Sequence, residues 1–186
     1  MLHPKKILIL LLIIVFPVFM VSILLTITGA ITTSYSGFAV DSYERIYVGT
    51  ESEIEVYDKG LLLKTISPKT SRGYAFTIQE DNTILLSTST TVYVMDLDGN
   101  VINEYDDVGT KTFNMLQREK KTYVAENGST YYLKNKMGRI EIVNDNNDVL
   151  YKMPILDYII KLLLFFSSVI AVIFIPIIIW RWRKSA

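Results

Sequence analysis

The sequence predicts an all-β domain held between two transmembrane helices. Two long uncharged apolar runs, one near each end of the 186-residue chain, predict the helices. Between them, short stretches of alternating apolar and polar residues recur at a nearly constant spacing, which predicts a repeated unit of β-strands. All 19 acidic residues lie in this middle region, between Asp41 and Asp157. The chain therefore divides into two apolar ends and an acidic centre.

The first apolar run extends from Ile7 to Ile27, 21 residues without a charge. A helix needs roughly 20 residues to cross the hydrocarbon layer of a bilayer. We therefore assign residues 1–6 to a cytoplasmic tail, 7–28 to the first transmembrane helix and 29–36 to a linker. The alternative is that residues 1–30 are a cleaved secretory signal, with Thr28-Gly29-Ala30 as the small-residue cleavage site. Signal cores run roughly 7 to 15 apolar residues, so the longer run here favours a retained helix.

The second apolar run extends from Leu162 to Trp180, 19 residues without a charge. We assign 154–158 to a linker, 159–180 to the second transmembrane helix and 181–186 to a basic tail. Basic residues flank both runs on their outer sides: Lys5, Lys6, Arg181, Arg183 and Lys184. Because basic flanks stay on the cytoplasmic side, both termini are predicted to be cytoplasmic and the centre extracytoplasmic. We expect a multi-pass cell membrane protein, and the cysteine-free, Lys- and Ile-rich centre suits a bacterial surface.

Residues 37–153 form the predicted β-repeat domain. Shifting residues 40–58 by 38 positions places them on residues 78–96 without a gap. The matched pairs are Val40 with Ile78, Ile46 with Ile84, Val48 with Leu86, Ile54 with Val92, Val56 with Val94 and Asp58 with Asp96. A third copy follows 48 positions further on, where Ile140, Ile142 and Asn144 match Val92, Val94 and Asp96. Each copy is predicted to contain four strands.

Residues that favour turns separate the predicted strands at 42–44, 58–60, 80–82, 96–100, 126–128 and 144–148. Asn, Asp and Gly tolerate positive φ or hydrogen-bond their own backbone, as tight hairpins require. The segment 144–148 is also rich in calcium-type oxygen ligands, but it lacks the glycine and the downstream glutamate of a calcium loop, so a hairpin turn is favoured. The third copy carries an insertion, residues 112–121, which is predicted to be an extra strand or a loop.

Four short strands about every 40 residues is the period of a β-propeller blade. The segments Ala39-Val40-Asp41-Ser42, Arg45-Ile46-Tyr47-Val48-Gly49, Ile54-Glu55-Val56-Tyr57-Asp58 and Gly138-Arg139-Ile140-Glu141-Ile142 resemble the blades of NHL-type propellers. The resemblance covers about 115 residues and implies a propeller-like domain of about three four-stranded blades. Because propellers close with roughly four to eight blades, we expect one of two arrangements. Two copies complete a six-bladed ring, or the three sheets form a prism or open sheet that protects its own edges.

Composition excludes several classes of site. The chain has no cysteine, and its single histidine, His3, precedes the first apolar run, so the predicted domain has neither a thiol nor an imidazole. We find no nucleophile elbow, phosphate loop or metal-ligand spacing, and predict no catalytic, cofactor-binding or metal-ligating residue and no cofactor. Between Asp41 and Asp157 there are 13 basic and 19 acidic residues, a net charge of −6 that disfavours nucleic acid.

These observations favour binding or scaffolding over catalysis. We expect a sensor or accessory subunit that contacts the lipid bilayer, forms a homodimer or a larger membrane complex, and binds an extracytoplasmic protein, peptide or polymer. One alternative is a component of a transport complex. The other, implied by the propeller resemblance, is a calcium-dependent lactonase-like hydrolase formed at a dimer axis.

Overall fold

The computed structural model describes residues 4–28, 35–51, 53–68, 73–125, 127–170, 176–177 and 180. The chain divides into two compact units, Met1–Thr33 with Pro154–Ala186, and Ser34–Met153. The first unit contains helices α1 (Pro4–Ile27) and α3 (Ile155–Val169). The described residues of the second unit form twelve strands and helix α2 (Lys111–Glu119).

In the helical unit, α1 and α3 contact each other. Helix α1 contains Pro17 in its interior, and the Thr28 hydroxyl donates to the Leu24 carbonyl at 2.9 Å just beyond its end. Helix α3 begins at Ile155, earlier than the predicted start at residue 159. Within the part of the chain that the structure describes, no helix combines the length and apolar character needed to span a membrane. Residues 171–175 and 178–179 of the second predicted span, residues 29–34 of the first linker and the tail 181–186 lie outside the described residues.

The β unit consists of three four-stranded antiparallel sheets, in which the strands pair in chain order. Sheet 1 contains β1 (Gly37–Val40), β2 (Ile46–Gly49), β3 (Ile54–Asp58) and β4 (Leu61–Ile66). Sheet 2 contains β5 (Ala75–Ile78), β6 (Ile84–Ser87), β7 (Thr91–Met95) and β8 (Val101–Asp106). Sheet 3 contains β9 (Thr122–Val124), β10 (Thr130–Lys136), β11 (Arg139–Asn144) and β12 (Val149–Lys152). The three predicted four-stranded units are therefore confirmed.

Sheet 1 lies between the other two sheets because both of its faces are apolar. Successive side chains of a strand point to opposite faces of the sheet, so the two faces of one sheet can contribute to two different cores. One face packs on sheet 2 through a shared core: Ala39, Tyr47, Ile54, Val56, Ile66, Phe76, Ile78, Ile84, Leu86 and Met95. The other face packs on sheet 3: Phe38, Val40, Ile46, Val48, Tyr57, Tyr131, Ile142 and Tyr151. In half of a six-bladed ring, sheets 1 and 3 would be the two end blades and would not contact each other. In this chain, sheets 1 and 3 pack against each other directly.

The inserted segment in the third copy is a helix, so its prediction as a strand or loop was wrong. A 3-10 turn, Val108–Thr110, leads into α2, and the Asp107 carboxylate accepts hydrogen bonds from the backbone N–H groups of Thr112 (3.0 Å) and Phe113 (2.9 Å). An anion that satisfies free N–H groups at a helix start stabilises that helix. The buried Leu116, one turn after Phe113, gives α2 an apolar side.

Helix α2 packs on sheet 2. It contacts β5 and β6, and the Gln117 side chain donates to the Tyr74 carbonyl at 3.3 Å. The Ser87 hydroxyl donates to Asp107 at 3.0 Å. Since Ser87 and its neighbour Leu86 point to opposite faces of β6, and Leu86 faces sheet 1, the start of α2 lies on the second face of sheet 2.

The two ends of the β unit differ in what they carry. Because neighbouring strands are antiparallel, the chain enters β1 and leaves β12 at one end, which we call the linker end. We call the opposite end the turn end. Six hairpins turn there: β1–β2, β3–β4, β5–β6, β7–β8, β9–β10 and β11–β12.

Candidate binding cleft at the turn end

Five of the six hairpins at the turn end share one backbone pattern. The first residue of the turn donates its N–H to the carbonyl of the fifth, and its own carbonyl accepts from the N–H of the fourth. These turns begin at Asp41, Gln79, Asp96, Ala125 and Asn144. The fourth residue has a positive φ in every case: Glu44, Asn82, Gly99, Gly128 and Asn147. Of these, Gly and Asn adopt this conformation readily, and Glu does not.

Side chains fix three of these turns in the same way. Oδ1 of Asp41, of Asp96 and of Asn144 each accepts from the backbone N–H groups two and four residues later, at 2.8–3.0 Å. The turn predicted at 144–148 is therefore a hairpin whose first side-chain oxygen is used by its own backbone. Among the described residues, no group of three or more His, Cys, Asp or Glu is placed to hold a metal ion.

A cleft of about 440 Å³ opens between the turns of sheets 1 and 3. We call it the turn-end cleft. Its lining comes from the hairpins β1–β2, β3–β4, β9–β10 and β11–β12: Tyr43, Glu44, Ile46, Asp58, Lys59, Ser129, Tyr131, Asn144, Asp145, Asn146 and Leu150. A volume of this size lies within the range of ligand sites.

Negative charge predominates in the turn-end cleft. Three carboxylates, those of Glu44, Asp58 and Asp145, face one ammonium, that of Lys59. Asp145 accepts a hydrogen bond from the Thr130 N–H at 2.8 Å. The carboxylates of Glu44 and Asp58 form no hydrogen bond or ion pair with the described part of the chain, so they are available to a ligand.

Two tyrosines give the turn-end cleft aromatic surface. Tyr131 is buried at its base, and its pKa is raised first by burial and then by the negative charges of Glu44 and Asp145. Tyr43 is 70% exposed. The Arg45 guanidinium lies 5.0 Å from the centroid of the Tyr43 ring, a cation–π contact, and is itself ion-paired with Asp41 at 2.7 Å.

A smaller pocket of about 130 Å³ lies where the first hairpins of the three sheets meet. The Ser42 N–H donates to Oδ1 of Asn82, and the Tyr123 hydroxyl donates to the Ile78 carbonyl, which ties these hairpins together. Asp41 borders this pocket, but its second oxygen accepts from Nε of Arg45 and from the Tyr47 hydroxyl, so its role is structural. Glu44 borders both cavities.

The sequence predicted the turns and no site residue. Which turns become neighbours depends on sheet 3 packing against sheet 1, and a repeat pattern does not specify that order. One signal was present in the repeat: Glu44 occupies the position that Asn82 and Gly128 take in the other copies.

No protein-family model matches the chain, and no curated protein matches it. Among the solved structures that show a partial likeness are the following three. A protein of unknown function from Bacteroides caccae is 12% identical, with a TM-score of 0.34, over 64% of this chain and 45% of that one. A streptogramin B lyase is 14% identical, with a TM-score of 0.35, over 67% of this chain and 42% of that one. Virginiamycin B lyase from Staphylococcus aureus is 13% identical, with a TM-score of 0.35, over 66% of this chain and 42% of that one.

The chain spans less than half the length of each of these three proteins. At such TM-scores the likeness carries no argument about activity. The strand pairing of this chain itself establishes the three four-stranded sheets. The assignment to NHL-type repeats stays a prediction.

Proposed function

We propose that this chain is a membrane-anchored binding module that presents the turn-end cleft to an extracytoplasmic protein, peptide or polymer. The observation that carries the proposal is topological. Within the β unit, the chain enters β1 and leaves β12 at the linker end, whereas the cleft lies at the opposite end. A ligand can therefore reach the cleft away from the points where the chain enters and leaves the β unit.

Anchoring in the cell membrane is supported by the sequence. Two uncharged runs, Ile7–Ile27 and Leu162–Trp180, carry five basic residues on their outer flanks and one, Lys161, on an inner flank, an asymmetry that favours cytoplasmic termini. The contact between α1 and α3 is compatible with a two-helix anchor.

Binding is favoured over catalysis by the chemistry of the cleft. Its lining offers carboxylates, amides and tyrosines, and the hydroxyl of Ser129 has no imidazole to activate it because the only histidine of the chain is His3. The buried carboxylates of Asp41, Asp107 and Glu141 are engaged in hydrogen bonds and ion pairs that hold the fold.

Cysteine labelling tests the location, since the natural chain contains no cysteine. We expect Lys59→Cys, on the cleft rim, to react with a membrane-impermeant maleimide on intact cells. Lys184→Cys, in the predicted cytoplasmic tail, should react only after permeabilisation. The opposite pattern would refute the extracytoplasmic placement.

Site-specific cross-linking tests the use of the cleft. A photo-reactive amino acid replaces Tyr43 in the cleft or, as a matched control, Tyr105 on the exposed strand β8. In intact membranes we expect a discrete cross-linked product from position 43 and none from position 105. Equal products from both positions would show that the cleft has no special role.

A further inference from the structure

We propose that the turn-end cleft recognises a cationic side chain, Lys or Arg, in an extended basic segment of a partner protein. This inference rests on the proposed function and adds the chemistry of the ligand. A cleft that combines two tyrosine side chains with carboxylates available for pairing matches an alkylammonium or guanidinium group.

The shape of the cleft supports a side-chain-sized ligand. Its walls are turns of two different sheets, held in place by the core between sheets 1 and 3. Asn144 and Asp145 are held by hydrogen bonds with their own or neighbouring backbone. A cation entering this cleft therefore meets acceptors that are already positioned, which lowers the cost of ordering on binding.

The local charges favour a cation. Glu44, Asp58 and Asp145 outnumber Lys59, and the nearby Arg45 is neutralised by Asp41. Burial is the main cause of the raised pKa of Tyr131, and the negative charges of Glu44 and Asp145 raise this pKa further. Over a longer range, residues 34–153 carry 18 acidic and 13 basic residues, so the whole unit attracts a basic segment.

The backbone conformation of Glu44 is unusual for a glutamate. Its φ of 63° places it in the left-handed region, where the other four turns of the shared pattern carry Asn or Gly, and Lys59 in the β3–β4 hairpin of the same cleft also has a positive φ, of 47°. A Glu in this conformation is less favourable than either, and such residues are found at functional sites. Glu44 is therefore the residue whose replacement should separate binding from stability.

The binding test uses the full chain in phosphatidylcholine nanodiscs, with empty nanodiscs as the blank. The probe is a fluorescein-labelled hexalysine peptide, followed by anisotropy, with an uncharged glycine–serine peptide of the same length as the control. We expect hexalysine to bind, with an affinity that falls as salt rises from about 0.05 to 0.3 M because ions screen the charges. Spermidine should compete at least tenfold less well than unlabelled hexalysine, which distinguishes a peptide from a free polyamine. Equal competition by spermidine would overturn the peptide assignment.

Two variants locate the binding. Glu44→Asn should weaken hexalysine binding about fivefold or more and leave the melting temperature equal or higher, since Asn suits the left-handed turn position better. Asp58→Asn should also weaken binding. Glu104→Gln, on the exposed strand β8, removes a carboxylate away from the cleft and should change binding less than twofold.

The outcomes are separable. If Glu104→Gln weakens binding as much as Glu44→Asn, the peptide follows net charge and the cleft assignment is wrong. If hexalysine fails to bind while position 43 still gives its discrete cross-link, the ligand chemistry is wrong and the proposed function stands. If both fail, both proposals fall.

Discussion

At the scale of single residues, close contacts between sheets decide which small side chains are required. Gly49 on β2 faces sheet 2, and a Cβ added there would lie 2.7 Å from Cε1 of the buried Phe76 and 3.2 Å from Cβ of Ser36. Its backbone conformation is open to any residue, so the constraint is space and not φ. The 38-residue repeat shows alternation at this position, but the neighbour that forbids a methyl group belongs to another sheet.

We therefore expect Gly49→Ala to destabilise the β unit by about 1–3 kcal/mol, the usual cost of overpacking a core. The measurement is urea or thermal unfolding of the full chain in detergent. Gly73→Ala is the matched control because a Cβ at Gly73 meets no atom within 4 Å. It should be neutral or slightly stabilising, since alanine restricts the unfolded chain. Equal losses in the two variants would contradict the close-contact explanation.

A second residue-scale prediction concerns Glu141 on β11. Its carboxylate is only 3% exposed and lies 2.8 Å from Nζ of Lys136 and 2.9 Å from Nζ of Lys152. Oε2 of Glu141 is close enough to Nζ of Lys136 to form an ion pair, but the two groups are not aligned for a hydrogen bond. The ammonium groups of Lys136 and Lys152, in contact with this carboxylate, lower the pKa of Glu141 to about 2 in spite of its burial.

A carboxylate whose pKa is depressed in the folded state stabilises the fold above its unfolded pKa of about 4.3. That stabilisation is lost as the pH falls from about 5 through 2. We expect Glu141→Gln to lower the melting temperature at pH 6, and the difference from the natural chain to shrink steadily towards pH 2. Glu104→Gln, on an exposed strand, should show no such trend. A difference for Glu141→Gln that does not vary with pH would rule out the ion-pair explanation.

At the scale of elements, strands and turns could be predicted from the sequence, and α2 could not. Strand positions follow from period-2 alternation and from Asx or Gly turns, which act locally. Helix α2 has only nine residues, too few to be stable alone in water. It forms because Asp107, held by Ser87 of a neighbouring strand, supplies the hydrogen bonds at its start.

Asp107→Ala should therefore loosen α2 selectively. Burial opposes ionisation of Asp107, but the N–H groups of Phe113 and Thr112 and the Ser87 hydroxyl outweigh it and lower the pKa of this carboxyl. Loss of such a cap typically costs about 1 kcal/mol. Hydrogen exchange by mass spectrometry should show faster exchange in residues 111–119 than in the natural chain. Asp106→Ala, the exposed neighbour on β8, should leave that segment unchanged, and acceleration in both variants would contradict the capping role.

At the scale of the whole molecule, the number of sheets was predictable and their order in space was not. The repeat specified three four-stranded units because each hairpin signal is local. Whether the third unit closes onto the first depends on the fit between distant residues, such as Tyr57 and Tyr151, whose rings lie edge to face with centroids 4.9 Å apart. The cleft depends on that closure, which explains why no site residue could be predicted from the sequence.

The packing of sheet 3 against sheet 1 also bears on whether folding of the β unit requires association with a second copy. Both faces of sheet 1 are covered within one chain, and α2 packs on sheet 2. We expect from this packing that the β unit folds without a second copy. A protein that needs a partner copy to fold has a melting temperature that rises with its concentration.

We therefore expect the unfolding transition of the β unit to keep its midpoint when the detergent-solubilised chain is diluted a hundredfold at constant detergent concentration. Intrinsic tyrosine fluorescence can follow it, because Tyr47, Tyr57, Tyr74 and Tyr151 are buried in the two cores. Tyr57→Ala should lower that midpoint equally at both concentrations, since it removes a contact inside one chain. A midpoint that falls on dilution would show that the two-copy ring predicted from the blade count is required for folding, and that the closure of three sheets alone is not sufficient.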